Sequence, residues 1–163
     1  MLEKMLKYRR DLHEIPEIGF DLPKTHNYVK TVLESLGYKI NIYAKTGIVV
    51  TKEGKTNESY AFRADMDALL ISEKTNVSFK SKHEGFMHAC GHDGHTAMLL
   101  GFAEYLANIK DNHYTIMLIF QPAEEGPGGA KVMIEEGIFN NYNIKGIFGL
   151  HLAPFIDENI YGL

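Results

Sequence analysis

Cys90 and His92 stand two residues apart in the stretch MHACGHDGHTAMLLG (residues 87–101), and Cys90 is the only cysteine of the chain. In an extended loop, residues i and i+2 project to the same side. This sulfur and this imidazole could therefore share one metal ion, at roughly 2.3 Å for the sulfur and 2.0 Å for the nitrogen. The spacing alone is weak evidence, because a lone cysteine is more often a small apolar residue than a ligand. Other segments change the balance. The apolar run YTIMLIFQP ends in Ala123 and the adjacent carboxylates Glu124 and Glu125, KGIFGL ends in His151, and YAFRAD ends in Asp65 with Asp67 just beyond. The alternation of a strand sends Glu124 and Glu125 in different directions, so one can bind a metal while the other faces substrate. A carboxylate in the second position suits a general base, since a cation lowers the pKa of a coordinated water and the carboxylate accepts the proton.

The same residues admit other chemistry. A thiolate activated by an imidazole is a nucleophile, with His95 or His151 as the partner of Cys90 through space. GPGGAK (residues 126–131) looks superficially like a phosphate loop but has no Gly-Lys-Ser/Thr and no dinucleotide spacing; its glycines are expected to let the chain turn sharply into a helix. His88 lies beside the cluster but exceeds the number of donors the spacing needs. His95, three residues after His92, is expected to support a ligand or touch substrate. His13, His26, His83 and His113 have no partner in view and are expected to be solvated.

These residues need a scaffold that gathers them. Apolar spacing predicts a helix over 2–13; a second begins at Pro23, buries Val29, Val32, Leu33 and Leu36, and stops at Gly37. YKINIYA, TGIVVTKEG and YAFRADMD read as three strands. A helix over 93–109 has Asp93 in the N-cap position, and YTIMLIFQP has the continuous apolar character of a strand buried on both faces. A short helix over AKVMIEEG and a last apolar strand KGIFGLHL follow. Strands interleaved with helices predict an α/β fold, a three-layer αβα sandwich with a mostly parallel mixed central sheet. In such sheets ligands gather at the carboxyl ends of the strands, which is where the candidate residues fall.

Composition bounds the function. With 163 residues, 45% of them hydrophobic and 23% charged, the chain is expected to fold as one globular domain. A net charge of −4 with no Lys/Arg run argues against nucleic acid as a partner. No window approaches 18 uninterrupted apolar residues and the N-terminus has no signal-peptide core, so no membrane partner and a cytoplasmic location are expected.

RADMDAL (63–69), MHACGHDGHTAMLLG, FQPAEEGPGGAKVMIEEG (120–137) and GLHLAP (149–154), with the opening RRDLHEIPEIGF, together resemble the co-catalytic metallo-amidohydrolases. That group includes hippurate hydrolases, auxin-conjugate hydrolases and N-acetyl-diaminopimelate deacetylases. The resemblance implies a zinc-exopeptidase-like fold and two divalent metal ions, Mn or Zn, held in part by Cys90, His92, Glu125 and His151. It implies Glu124 as the base and Asp67 as the group that orients a metal ligand. The implied reaction is hydrolysis of the amide bond of a small-molecule N-acyl amino acid or peptide-like substrate. Members of the family run to more than twice this length, with a lid and dimerisation domain and a returning C-terminal half. Residues 1–163 are therefore expected to be the N-terminal part of the metal-binding catalytic domain, weakly active or inactive alone. The alternative is a non-catalytic remnant or interaction module, a homo-oligomer that associates through an exposed sheet edge.

Overall fold

The computed structural model describes residues 1–157, 160 and 162. Its element order is α1 (Leu2–His13), α2 (Pro23–Ser35), β1 (Asn41–Tyr43), β2 (Gly47–Lys52), β3 (Glu58–Asp65), α3 (His92–Ala107), β4 (Thr115–Gln121), α4 (Gly129–Glu135) and β5 (Asn143–Gly149). Pro23 sits in the first turn of α2, where its missing N–H costs nothing, and Gly37 ends that helix at φ +85°.

One five-stranded sheet runs in the order β1-β2-β4-β3-β5. β3 pairs in parallel with both β4 and β5, while β1–β2 and β2–β4 are antiparallel. The sheet is thus mixed around a parallel core, as the interleaving of strands and helices predicts. Alternation along β2, β3 and β4 sorts their apolar residues onto two faces. One face, with Ile48, Val50, Leu118 and Phe120, packs under α1, α2 and α3 through Leu12, Leu33 and Leu100. The other, with Val49, Ala61, Met117 and Ile119, packs on α4 and the chain after it through Met133 and Ile138. Helices on both faces make the three layers.

β5 differs from the other strands. It pairs only with β3 among the described residues, and Ile147 and Phe148 are each about half exposed. No helix among the described residues is long and apolar enough to cross a membrane.

The register aligns the ends of the parallel strands. Asp65 lies opposite Gln121 and Arg63 opposite Gly149, so the loops leaving β3, β4 and β5 all emerge at one edge. α3 starts at the same edge. Its N-cap is Gly91 at φ +86°, not Asp93, which lies two residues further on, within the first turn, and is buried. The correction has a physical cause: the left-handed turn that aims Cys90 and His92 requires glycine, and Asp93 is used elsewhere.

Phe120 is fully buried at the centre of the larger core. Phe120→Ala is expected to destabilise the fold by about 3–5 kcal/mol in urea-induced unfolding, because the cavity adds to the lost transfer energy.

Candidate metal centre

His92 is buried, and its Nδ1–H donates to the backbone carbonyl of Asp67 at 2.8 Å. That bond fixes the tautomer and leaves Nε2 as a free acceptor. Nε2 has no hydrogen-bond partner among the described residues. It faces three carboxylates, with Asp65 Oδ2 at 3.7 Å, Glu125 Oε1 at 3.7 Å and Glu124 Oε2 at 3.8 Å. These separations are too long for hydrogen bonds but close to the spacing of two ligands on one tetrahedral ion, roughly 3.4 Å for bonds near 2.1 Å. Burial pulls the His92 pKa down, yet Asp67 and Asp65 outweigh it and hold the group above its ordinary value. The surroundings of Nε2 therefore favour positive charge.

Ligand atoms of Cys90, His92 and Glu125 all lie within 4.8 Å of one another, and so do those of Asp65, His92, His95 and His151. The two groups share His92. They also meet through Cys90 and His151, whose Sγ and Nε2 are 3.5 Å apart. Sulfur, imidazole and carboxylate from the α3 loop, the β4 end and the β5 end thus lie at one edge, in two overlapping groups rather than one. A buried imidazole nitrogen lacking a partner, beside a thiol and a carboxylate, is a donor set that fits a divalent cation.

Asp67 holds the acidic pair in place. Its Oδ1 accepts the N–H of Glu124 at 2.9 Å and its Oδ2 that of Glu125 at 3.0 Å. Burial raises its pKa, but His92 and these two amides bring it below the ordinary carboxylate range. The resemblance implies that Asp67 orients a metal ligand; in the structure its carbonyl holds the ring of His92 and its carboxylate the backbone of Glu124 and Glu125. The turn leading there is tight: Ala123 is left-handed at φ 55°, and Gly129 donates its N–H to the Ala123 carbonyl at 3.0 Å. A side chain at Gly129 would collide with the Pro122 carbonyl, so the GPGGAK glycines serve the turn rather than a phosphate. Side chains of Glu124 and Glu125 remain 38% and 26% exposed, open to a substrate.

Cys90 is no activated nucleophile as it stands. Burial, followed by the nearby Glu125 carboxylate, pushes its thiol up to about 11, the opposite of the depressed pKa that a reactive thiolate needs.

Several residues carry more of the site than their sequence context suggests. Asp65 is fully buried and accepts from His95 Nδ1 at 2.7 Å and from Arg63 at 2.7 Å. Burial raises its pKa, but His95, His92 and Arg63 bring it down to about 2. The i, i+2 spacing of Arg63 and Asp65 on one strand face was the available signal. His13, expected in solvent, is instead 4% exposed and bonded through Nδ1 to Asp93 Oδ2 at 2.8 Å and through Nε2 to Glu73 Oε1 at 3.3 Å. His26 and His83 likewise find backbone carbonyls, at Thr46 and Pro16, while His113 is exposed as expected. His88 is buried with neither ring nitrogen bonded among the described residues, and burial takes its pKa down to about 4.

Comparison with known proteins agrees with this geometry. Residues 61–162 match the model of Peptidase family M20/M25/M40. The chain is 49% identical over 158 residues to the hippurate hydrolase of Campylobacter jejuni, covering 95% of this chain and 41% of that protein. It is 41% identical over 162 residues to an uncharacterised hydrolase of Staphylococcus aureus, covering 98% and 42%. Among solved structures, the Bacillus subtilis YXEP protein, described as a dinuclear metal binding peptidase from the M20 family, superposes with a TM-score of 0.85 at 40% identity, over 94% of this chain and 43% of that one. The chain spans about two fifths of the length of these relatives.

The His13–Asp93 pair has a pH signature. The hydrogen bond that His13 donates to the Asp93 carboxylate raises the His13 pKa above 6.5, so the stabilisation it gives is fully present below about pH 6.5 and is lost as pH rises through the folded value. The stability difference between wild type and His13→Gln should therefore shrink as pH is raised above about 6.5 in urea titrations.

Proposed function

Because this chain belongs to Peptidase family M20/M25/M40, we propose that it carries the metal-dependent site of an amidohydrolase acting on N-acyl amino acids or small peptide-like amides. The observation that carries the proposal is the unpartnered, buried His92 Nε2, set among carboxylates and a thiol. Cys90, His92, Glu125 and His151 would hold the divalent ions, a pair of Mn or Zn in the complete enzyme. Thiolate suits zinc, and carboxylate suits manganese. The relative called a hippurate hydrolase supports the choice of an acylated amino acid as substrate. A single cysteine kept for a ligand rather than a disulfide suits a reducing, cytoplasmic setting.

Bound cations would supply Lewis acidity toward the scissile carbonyl and toward water. The residues of the chain supply the rest. Glu124, exposed at the rim, accepts a proton from the attacking water at its carboxylate and returns it to the departing amine. Asp67 fixes where that carboxylate starts from, by holding the Glu124 amide. Its grip on the Glu125 amide fixes the neighbouring residue as well, and the expected divergence of the two side chains is not seen: both carboxylates reach within 3.8 Å of His92 Nε2. Arg63 and His95 neutralise Asp65, which prevents a third carboxylate from competing for the same proton.

A second reading has its own support in β5, whose apolar residues are half exposed. An unpaired edge invites another chain, and a non-catalytic module would associate there. Sedimentation of the 163-residue protein distinguishes a concentration-dependent oligomer from a monomer.

The enzymatic reading separates metal binding from proton transfer. Glu124→Ala should retain the bound metal, measured by mass spectrometry of the desalted protein, while lowering release of benzoate from hippurate by roughly 10²–10⁴-fold. His92→Ala should lose metal and rate together. Retention of metal by His92→Ala would overturn the assignment. Asp67→Ala should weaken metal affinity by roughly 10–100-fold without removing a ligand side chain.

A further inference from the structure

His95 belongs to a cluster able to hold a metal, yet its two ring nitrogens are both engaged. Nδ1–H donates to Asp65 Oδ1 at 2.7 Å, and Nε2 accepts the backbone N–H of Leu152 at 3.0 Å. A backbone N–H can only donate, so this arrangement requires the Nδ1–H tautomer. Asp65 imposes that tautomer, since an ionised carboxylate can only accept. Asp65 is anchored in turn by Arg63, whose Nε donates to Gln121 Oε1 at 2.8 Å, and its backbone carbonyl accepts from Thr96 Oγ1 at 2.7 Å.

Leu152 passes this order on to His151. Its carbonyl accepts His151 Nδ1–H at 2.7 Å, which leaves His151 Nε2 facing Cys90 Sγ. Its side chain lies against Gly91, where an added Cβ would come within 2.5 Å of Leu152 Cδ1. The N–H, the carbonyl and the side chain of one residue are thus all spent on docking. The docking is needed because His151 is exposed and lies past the end of β5, where no sheet hydrogen bonds hold the chain.

Resting on the metal-centre reading above, we infer that His95 is not a ligand but a positioning residue: a tautomer-locked latch that seats His151 opposite Cys90 through the Leu152 amide. Arg63 and Asp65 are the base of the latch. Were His95 to bind metal through Nε2, it would have to release Leu152 and with it His151. The apparent four-group cluster of Asp65, His92, His95 and His151 therefore contributes His92 and His151 to a cation, while Asp65 and His95 hold the frame.

Two measurements on the full 163-residue chain test this. In the metal-free protein, ¹⁵N-edited NMR of the histidine rings should show His95 as the Nδ1–H tautomer, and the Leu152 amide should be protected from hydrogen exchange. Protection should vanish in His95→Leu and return in His95→Gln, whose side-chain oxygen can accept the same N–H. Asp65→Asn, which can donate to His95 Nδ1 and invert the tautomer, should also lose it. An unprotected Leu152 amide in the wild type, or equal protection in His95→Leu, would overturn the latch.

The second measurement is titration with Co(II), followed by the thiolate charge-transfer absorption of Cys90. His95→Leu should weaken Co(II) binding by roughly 10–100-fold, and His95→Gln by much less. Combined with His151→Ala, His95→Leu should cost nothing further, because both remove the same ligand. Additive losses would mean that His95 acts on its own and would overturn the proposal. A wild type with a protected Leu152 amide that takes up no Co(II) would refute the metal-centre reading and leave the latch to be judged by exchange alone.

Discussion

The centre depends on the way Asp67 is bonded. Its carboxylate lies on the amides of Glu124 and Glu125 while its carbonyl holds the ring of His92. A buried carboxylate is costly unless it is hydrogen-bonded, and here both oxygens are used on backbone donors that nothing else would satisfy. Those donors belong to a turn that begins with a left-handed alanine, a conformation that costs of order 1–3 kcal/mol and persists only where the surroundings impose it. Asp67 holds the two amides that follow that alanine, and the Gly129 N–H holds the alanine's own carbonyl. The chain leaving β3 thereby sets the direction of the chain leaving β4 and of the first residue of α3. Three segments distant in sequence acquire one geometry from a single side chain and its own carbonyl.

Around that point the site is assembled by pairing charges rather than by exposing them. Asp65 is neutralised by Arg63 and His95, Asp93 by His13 and Arg9, and Glu73 by His13. Asp93 and Glu73 so paired are withdrawn from the centre, whereas Asp65 still faces His92 Nε2 at 3.7 Å. Glu124 and Glu125 face the same nitrogen with no Lys or Arg partner among the described residues, and Cys90 and His151 lie beside them. A metal site needs this asymmetry, because a cation must find ligands whose charge is not already answered within the protein.

Much of this was legible in the sequence because the signals were local or periodic. The interleaving of helical and strand patterns carries the three layers, and the parallel core follows from the connections. The endings of β3, β4 and β5 carry Asp65, Asp67, Glu124, Glu125 and His151 to one edge. The rest was hidden because it is long-range and polar. Nothing near His13 foretells Asp93, 80 residues away, or Glu73, 60 residues away. Asp93 illustrates the failure well. Its position before an apolar helix fits an N-cap, but a tertiary partner on α1 outweighs the local preference, and the left-handed Gly91 takes the cap instead. For His95 the sequence gives the kind of role, a group that supports a ligand or touches substrate, but not the partners: Asp65, 30 residues away, and the Leu152 amide, 57 residues away, lie beyond any local signal.

The protonation of Cys90 bears on which chemistry the fold selects. A thiol pushed up to about 11 by burial and by Glu125 is unreactive on its own. Metal binding must therefore displace the thiol proton, and the same carboxylates that raise the thiol pKa are those that attract the ion doing so. A nucleophilic cysteine would need the opposite field, a cationic neighbour and few carboxylates. The acidic surroundings that make Cys90 a poor nucleophile are thus the same feature that, on the proposed reading, would draw a divalent cation to Cys90 and His92.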